Sequence, residues 1–136
     1  MTNSVKEFIE DNIDDIEDGK WEDVIESWYE HFSSDFFCSD DYFTEFAEVL
    51  QTAGIDFMTE TETTRKEFMS NLIDQILHDE LESMSRRGSD EIKKSDIIMH
   101  VDCNLGFTMD ELDKIMEEVG QNRYNLEPDF TCFYVR

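Results

Sequence analysis

Apolar residues in the first third of the chain recur three and four positions apart, the spacing of one helix face. Val5, Phe8, Ile9, Ile13 and Ile16 predict an amphipathic helix that stops near Gly19. Trp21, Val24, Ile25, Trp28, Tyr29 and Phe32 predict a second, and Phe43, Phe46, Ala47, Val49 and Leu50 a third, with Gly54 placed as its C-terminal cap. A longer stripe follows at Phe68, Met69, Leu72, Ile73, Ile76, Leu77, Leu81 and Met84. Thr63 or Thr64 suits its N-cap, and Arg86 and Arg87 stand in its last turn, where cations complement the helix dipole.

Beyond Gly88 the periods are shorter. "KKSDIIMHVD" fits a short helix or a strand. In "GFTMDELDKIMEEVG", Thr108 and Glu111 have capping-box spacing. Leu112, Ile115, Met116 and Val119 form the stripe, and Gly120 is the expected stop. "FTCFYVR" alternates as a strand does, with a partner expected in "NRYNL" and a turn at "EPD". The expected fold is mainly α: one domain over residues 1–136, with amphipathic acidic helices over 1–87 and a helix-and-strand extension over 88–136 that supplies a small C-terminal β element.

Eleven Phe, 4 Tyr and 2 Trp give this chain the material for a core, so its charge does not imply disorder. That charge is −24, from 35 acids and 11 bases. It is uneven: residues 1–62 hold 19 acids and 2 bases, the remainder 16 and 9. So negative a surface repels nucleic acid and anionic membrane and selects basic partners. No apolar run approaches the ~20 residues that span a bilayer, and no basic segment followed by an apolar one opens the chain. The expected location is the cytoplasm, where Cys38, Cys103 and Cys132 would remain thiols.

Catalytic and metal-binding patterns are weak. An EF-hand loop begun at Asp14 puts Gly19 at position 6, but it places Ile16 and Ile25 where oxygen ligands belong. His31, His78 and His100 are scattered, and the cysteines lack paired spacing. There is no nucleophile elbow and no phosphate-cradling glycine loop. Ile97–Val119 has the outline of a helix-turn-helix, yet its would-be recognition helix, "MDELDKIMEEV", carries one lysine among many acids and would repel phosphate. The expectation is no enzyme, no metal and no cofactor.

The acids themselves are patterned. Glu22, Glu26 and Glu30 repeat every four residues beside Asp23, and Asp11, Asp14, Asp15 and Asp18 do so on the first helix. A helix rises ~5.4 Å per turn, so each face offers a carboxylate about every 5–6 Å. Each strand of B-DNA carries a phosphate about every 3.4 Å. Two or three such helices side by side approach that charge density. A face built for solubility alone would more commonly intersperse Lys and Arg, and residues 1–62 offer only Lys6 and Lys20; a solvated face and an imitation of a polyanion are the two readings of this pattern.

Two acidic helices, then "DYFTEFAEVLQTAGIDF" (41–57), then "RKEFMSNLIDQILHDELESM" (65–84) resemble the Ocr family, the overcome-classical-restriction antirestriction proteins of bacteriophages. The resemblance covers roughly residues 5–84. It implies a mainly helical homodimer that imitates bent B-form DNA and occupies the DNA-binding cleft of type I restriction–modification enzymes, without cofactor or chemistry. The partner would be a basic DNA-binding protein of a host defence system, met in the host cytoplasm. The matching positions are the acids of the first three helices, Asp11, Asp14, Asp15, Asp18, Glu22, Asp23, Glu26, Glu30, Asp40, Asp41, Glu45 and Glu48, with the loop acids Asp56, Glu60 and Glu62. The chain departs from the family in its fifty or so residues after Met84 and in lacking a very acidic tail.

A different class of function also fits: an acidic interaction module, antitoxin-like or adaptor, docking through an apolar patch. "WYEHFSSDFFCSDDYF" (28–43) is aromatic enough to present Phe36 or Phe37 as an anchor.

Overall fold

The computed structural model describes residues 3–32, 40–101 and 103–135. The chain is mainly helical with one small antiparallel sheet near the C-terminus. In order it forms α1 (Asn3–Asp11), α2 (Ile13–Glu17), α3 (Trp21–Phe32), α4 (Asp40–Thr52), α5 (Phe57–Glu60), α6 (Glu62–Arg87), β1 (Glu91–Lys93), α7 (Lys94–Met99), α8 (Met109–Tyr124), β2 (Leu126–Pro128) and β3 (Cys132–Val135). These group into two compact units. The first comprises residues 1–68 with 102–107, the second 69–101 with 108–136.

The first unit is built around aromatic rings. Trp28 meets Phe8 edge-on at 5.0 Å and Phe43 at 5.4 Å, and it lies tilted over Phe46 at 5.0 Å. Phe57 extends the cluster, 4.9 Å from Phe46 and 5.1 Å from Trp21. Phe8, Trp28, Phe43, Phe46 and Phe57 are essentially inaccessible to solvent. Each such ring contributes roughly 1.5–3 kcal/mol by burial and adds edge-to-face attraction.

Helix boundaries in this unit follow local competition for backbone groups. The expected first helix is two helices, because the Asn12 side-chain amide donates to the Phe8 carbonyl (2.9 Å), which also accepts from the Asn12 backbone N–H (3.1 Å). Gly54 closes α4 as expected: at φ 89° it lets Ile55 N–H reach back to the Leu50 carbonyl at 2.9 Å. Neither Thr63 nor Thr64 caps the long helix, which begins one residue earlier, at Glu62. α5 leads straight into it: Thr61 N–H donates to the Phe57 carbonyl and Arg65 N–H to the Thr61 carbonyl, supplying partners a cap would otherwise provide.

Arg65 is the buried cation of this unit, 6 % exposed. Its guanidinium donates to the carbonyls of Leu105 and Met58, both at 3.1 Å, and lies 5.0 Å from the Phe107 ring centroid and 5.8 Å from that of Phe43. It thereby fastens the segment ending at Phe107 to the helices. That segment is tightly turned, with Leu105 and Gly106 both at positive φ. A side chain at Gly106 would come within 2.8 Å of the Phe43 ring.

In the second unit β3 is the central strand, in the order β1-β3-β2. Ile92 and Pro128 both pair with Phe133, and Glu91 and Glu127 with Tyr134. "KKSDIIMHVD" thus divides: Lys93 ends a strand and Lys94 opens a helix. The strand expected in "NRYNL" is a correction. Residues 122–124 remain helical, and only Leu126–Pro128 pairs, which moves the turn from "EPD" to residues 129–131. Gly120 does not stop α8 either. It is buried where a Cβ would stand 3.0 Å from the Phe133 ring, so its role is to let the sheet approach. The stop is Asn125, in the left-handed region at φ 53°. The Thr108–Glu111 capping box forms as expected.

Two polar anchors hold this unit. Lys94, nearly buried, donates to Glu117 at 2.8 Å and lies 3.5 Å from Asp113. Burial opposes its charge, but the bond to Glu117 and the field of Asp113 outweigh it, and its pKa lies above the ordinary lysine value. The Tyr124 hydroxyl donates to the Asp74 carboxylate at 2.6 Å, with the Asp74 carbonyl 3.0 Å away. Burial first, then that carboxylate, push its pKa up to about 12.

Two outcomes follow. Arg65→Met keeps the volume and leaves the Leu105 and Met58 carbonyls without their charged donor. It should lower stability by about 2–4 kcal/mol in urea titration; a midpoint like that of the parent would show that Arg65 is not an anchor. Raised folded-state pKa values mean that the native protein holds the Lys94 and Tyr124 protons more tightly than the unfolded chain does. Tyr124's contribution is complete below its ordinary value of about 10 and is lost as the pH rises through about 12; that of Lys94 is lost as the pH rises past the ordinary lysine range. The urea midpoint should therefore fall across that window, and less steeply in Tyr124→Phe.

Candidate functional site

The fifteen acids singled out by the sequence all lie in the first unit. On α3, Glu22, Glu26 and Glu30 are exposed one turn apart, with Asp23 exposed beside them. α3 can present this ladder because its opposite face is fully committed: Val24, Ile25, Trp28 and Phe32 are buried. The ladder expected on the first helix is interrupted. Asp11 ends α1, Asp14 and Asp15 open α2, and Asp18 is its C-terminal cap residue. Asp15 is half-buried and the other three are exposed.

On α4, Glu48 is exposed and Glu45 half-buried. Asp40 and Asp41 begin that helix, and their side chains lie outside the described residues. Asp56 occupies the N-cap position of α5 without a side-chain capping bond, and Glu60 and Glu62 flank the junction with α6. All three are exposed.

Charge compensation separates the two units. The second holds 14 acids and 7 bases, and its Asp74, Glu80, Asp113 and Glu117 each lie within ion-pair distance of Arg123, His100 or Lys94. The first holds 21 acids and 4 bases. Its Asp11, Asp14, Asp15, Asp18, Glu22, Asp23, Glu26, Glu48, Asp56, Glu60 and Glu62 have no ion-pair partner among the described residues. One of the four bases, Arg65, is buried, and its guanidinium donates to two backbone carbonyls.

Other chemistry finds little to use. Ile16 and Ile25, at ligand positions of the trial calcium loop, are core residues. Among the described residues no three His, Cys, Asp or Glu side chains converge as metal ligands would. His31, His78 and His100 are exposed. Cys103 and Cys132 are buried, and Cys38 lies outside the described residues. Among the described residues no helix is long and apolar enough to cross a membrane. Of the aromatic segment proposed as a docking patch, Trp28, Phe32 and Phe43 are core, and Phe36 and Phe37 lie outside the described residues.

Glu7, Glu10 and Glu17, outside the expected set, are also exposed on α1 and α2. Their signal was present: Glu7 stands four residues before Asp11, and Glu10 four before Asp14. Arg65 is a structural cation that nothing in its neighbours "TTRKEF" announces. Comparison of the chain with protein-family models, with curated proteins and with solved structures finds no match.

Carboxylates so spaced and so little compensated repel one another, and salt should relieve that. The Debye length falls from ~10 Å at 0.1 M to ~3 Å at 1 M. The thermal midpoint should therefore rise as sodium chloride is added. A flat or falling midpoint between low and moderate salt would mean that self-repulsion is not a significant cost to this fold.

Proposed function

We propose that this protein is a DNA-mimicking inhibitor that occupies the DNA-binding cleft of a restriction–modification or other phage-defence enzyme. One observation carries the reading: eleven carboxylates of the first unit lie on its helices and junctions with no cation set against them among the described residues. A protein that keeps carboxylates at one-turn spacing incurs a few tenths of a kcal/mol for each like-charged pair. That cost has a use where the cations are on another molecule. The likeness of residues 5–84 to the Ocr family points to the same partner, a cleft lined with Lys and Arg.

The mechanism is competition. Carboxylates take the positions of phosphates, and binding releases counterions from both surfaces as DNA binding does. A rigid aromatic core fixes the helices before the encounter, whereas DNA must be bent into some clefts at a cost of a few kcal/mol. No bond is made or broken, and no cofactor has a part.

The test uses a type I restriction enzyme bound to a labelled cognate duplex. The protein should displace the duplex in a gel-shift titration, and its affinity should fall as salt rises. Single neutralisations should cost little, because an exposed ion pair is worth only ~0–1 kcal/mol. Losses should accumulate when Asp14, Asp15, Glu22 and Glu26, and then Glu48, Asp56, Glu60 and Glu62, are changed in groups to Asn and Gln. An enzyme that holds the protein and the duplex at once would end the proposal.

A further inference from the structure

The second unit carries an apolar groove of about 650 Å³, within the usual size of ligand and peptide sites. One wall is the outer face of α7, with Ile98 and Met99. The other is the start of α8, with Met109 and Met116, and the β2–β3 turn contributes Phe130. Met116 is buried and forms part of the lining from beneath, but three of these side chains are left in water: Met99 is 78 % exposed, Met109 59 % and Phe130 93 %. Of the six large hydrophobic side chains exposed among the described residues, three thus surround a single groove. Isolated exposed apolar residues need no explanation, but a set gathered around one concavity marks an interaction surface.

Charge at the groove selects the occupant. Asp110 and Asp113 lie in its lining. Its one cation, Lys94, is held by Glu117 and Asp113. The unit as a whole carries net −7, so a second copy of the chain, an acidic peptide or an anionic lipid surface would be repelled. We infer that this groove docks an amphipathic helix whose apolar stripe meets Met99, Met109 and Phe130 and whose flanking residues are basic, facing Asp110 and Asp113. Methionines suit that task because their unbranched, polarisable side chains adapt to the stripe they receive. The inference rests on the second unit alone and does not depend on the mimicry reading.

The test employs a labelled peptide of about 18 residues, five helical turns, with leucines at i, i+3, i+4 and i+7 and lysines elsewhere. A peptide of the same composition with its leucines scattered around the helix is the control. Both carry the same charge, so attraction to the acidic first unit affects them alike. By anisotropy the striped peptide should bind full-length protein at least about tenfold more tightly. The combined change Met99→Gln, Met109→Gln and Phe130→Ser should abolish that preference. In the parent protein, the methyl resonances of Met99 and Met109 should shift with the striped peptide while that of Met58 does not, a readout independent of how the variant folds. Equal binding of the two peptides, a preference that survives the triple change, or unshifted Met99 and Met109 methyls would overturn the proposal. So would a dimer in sedimentation equilibrium that the triple change dissolves, since the occupant would then be a second copy.

Discussion

Carboxylates at one-turn spacing, most of them without an ion-pair partner among the described residues, must be held in place by something other than charge. In the first unit that is apolar packing. Trp28 touches rings from α1 and α4 as well as its own helix, and Phe57 brings in the junction before α6. The geometry of the acidic surface depends on this cluster, because each ladder of acids is the reverse side of a helix whose other face is aromatic. Glu22, Glu26 and Glu30 point outward because Val24, Ile25, Trp28 and Phe32 point inward.

Arg65 works from the inside of the same unit. Its guanidinium reaches two main-chain carbonyls and two aromatic faces. Its positive charge stabilises the interior and the turn at Leu105 and Gly106, and the surface remains acidic. In the second unit side-chain pairs carry the polar anchoring. Lys94, Arg123 and Tyr124 engage acids directly, and the groove between α7 and α8 adds an apolar surface that the first unit does not show among its described residues.

The helices of both units were legible in the sequence because each buries one stripe and exposes the other, which is what apolar periodicity records. Boundaries were less legible where a single side chain decided them. The break at Asn12 comes from an amide reaching Phe8, and Gly120 sits inside α8 because a ring from a distant strand presses on it. The sheet was half legible: β3 alternates, but β1 has three residues and takes its register from β3 rather than from any pattern of its own. Of the candidate surface, the density and spacing of acids could be read directly. Which of them lack an ion-pair partner among the described residues could not, since that depends on where the cations lie in three dimensions.

Trp21 and Trp28 are the only tryptophans in the chain, and both belong to the first unit. Trp28 is sealed in the aromatic cluster, and Trp21 stacks edge-on against Phe57 at the rim of a small cleft. The second unit contributes only tyrosine and phenylalanine to the near-ultraviolet spectrum. Indole emission is consequently an intrinsic reporter of one half of the molecule: its wavelength follows the environment of the acidic helices, while backbone ellipticity follows both units together. Disagreement between the two signals during a single denaturation would therefore reveal, without any label, whether the acidic unit loosens before its neighbour.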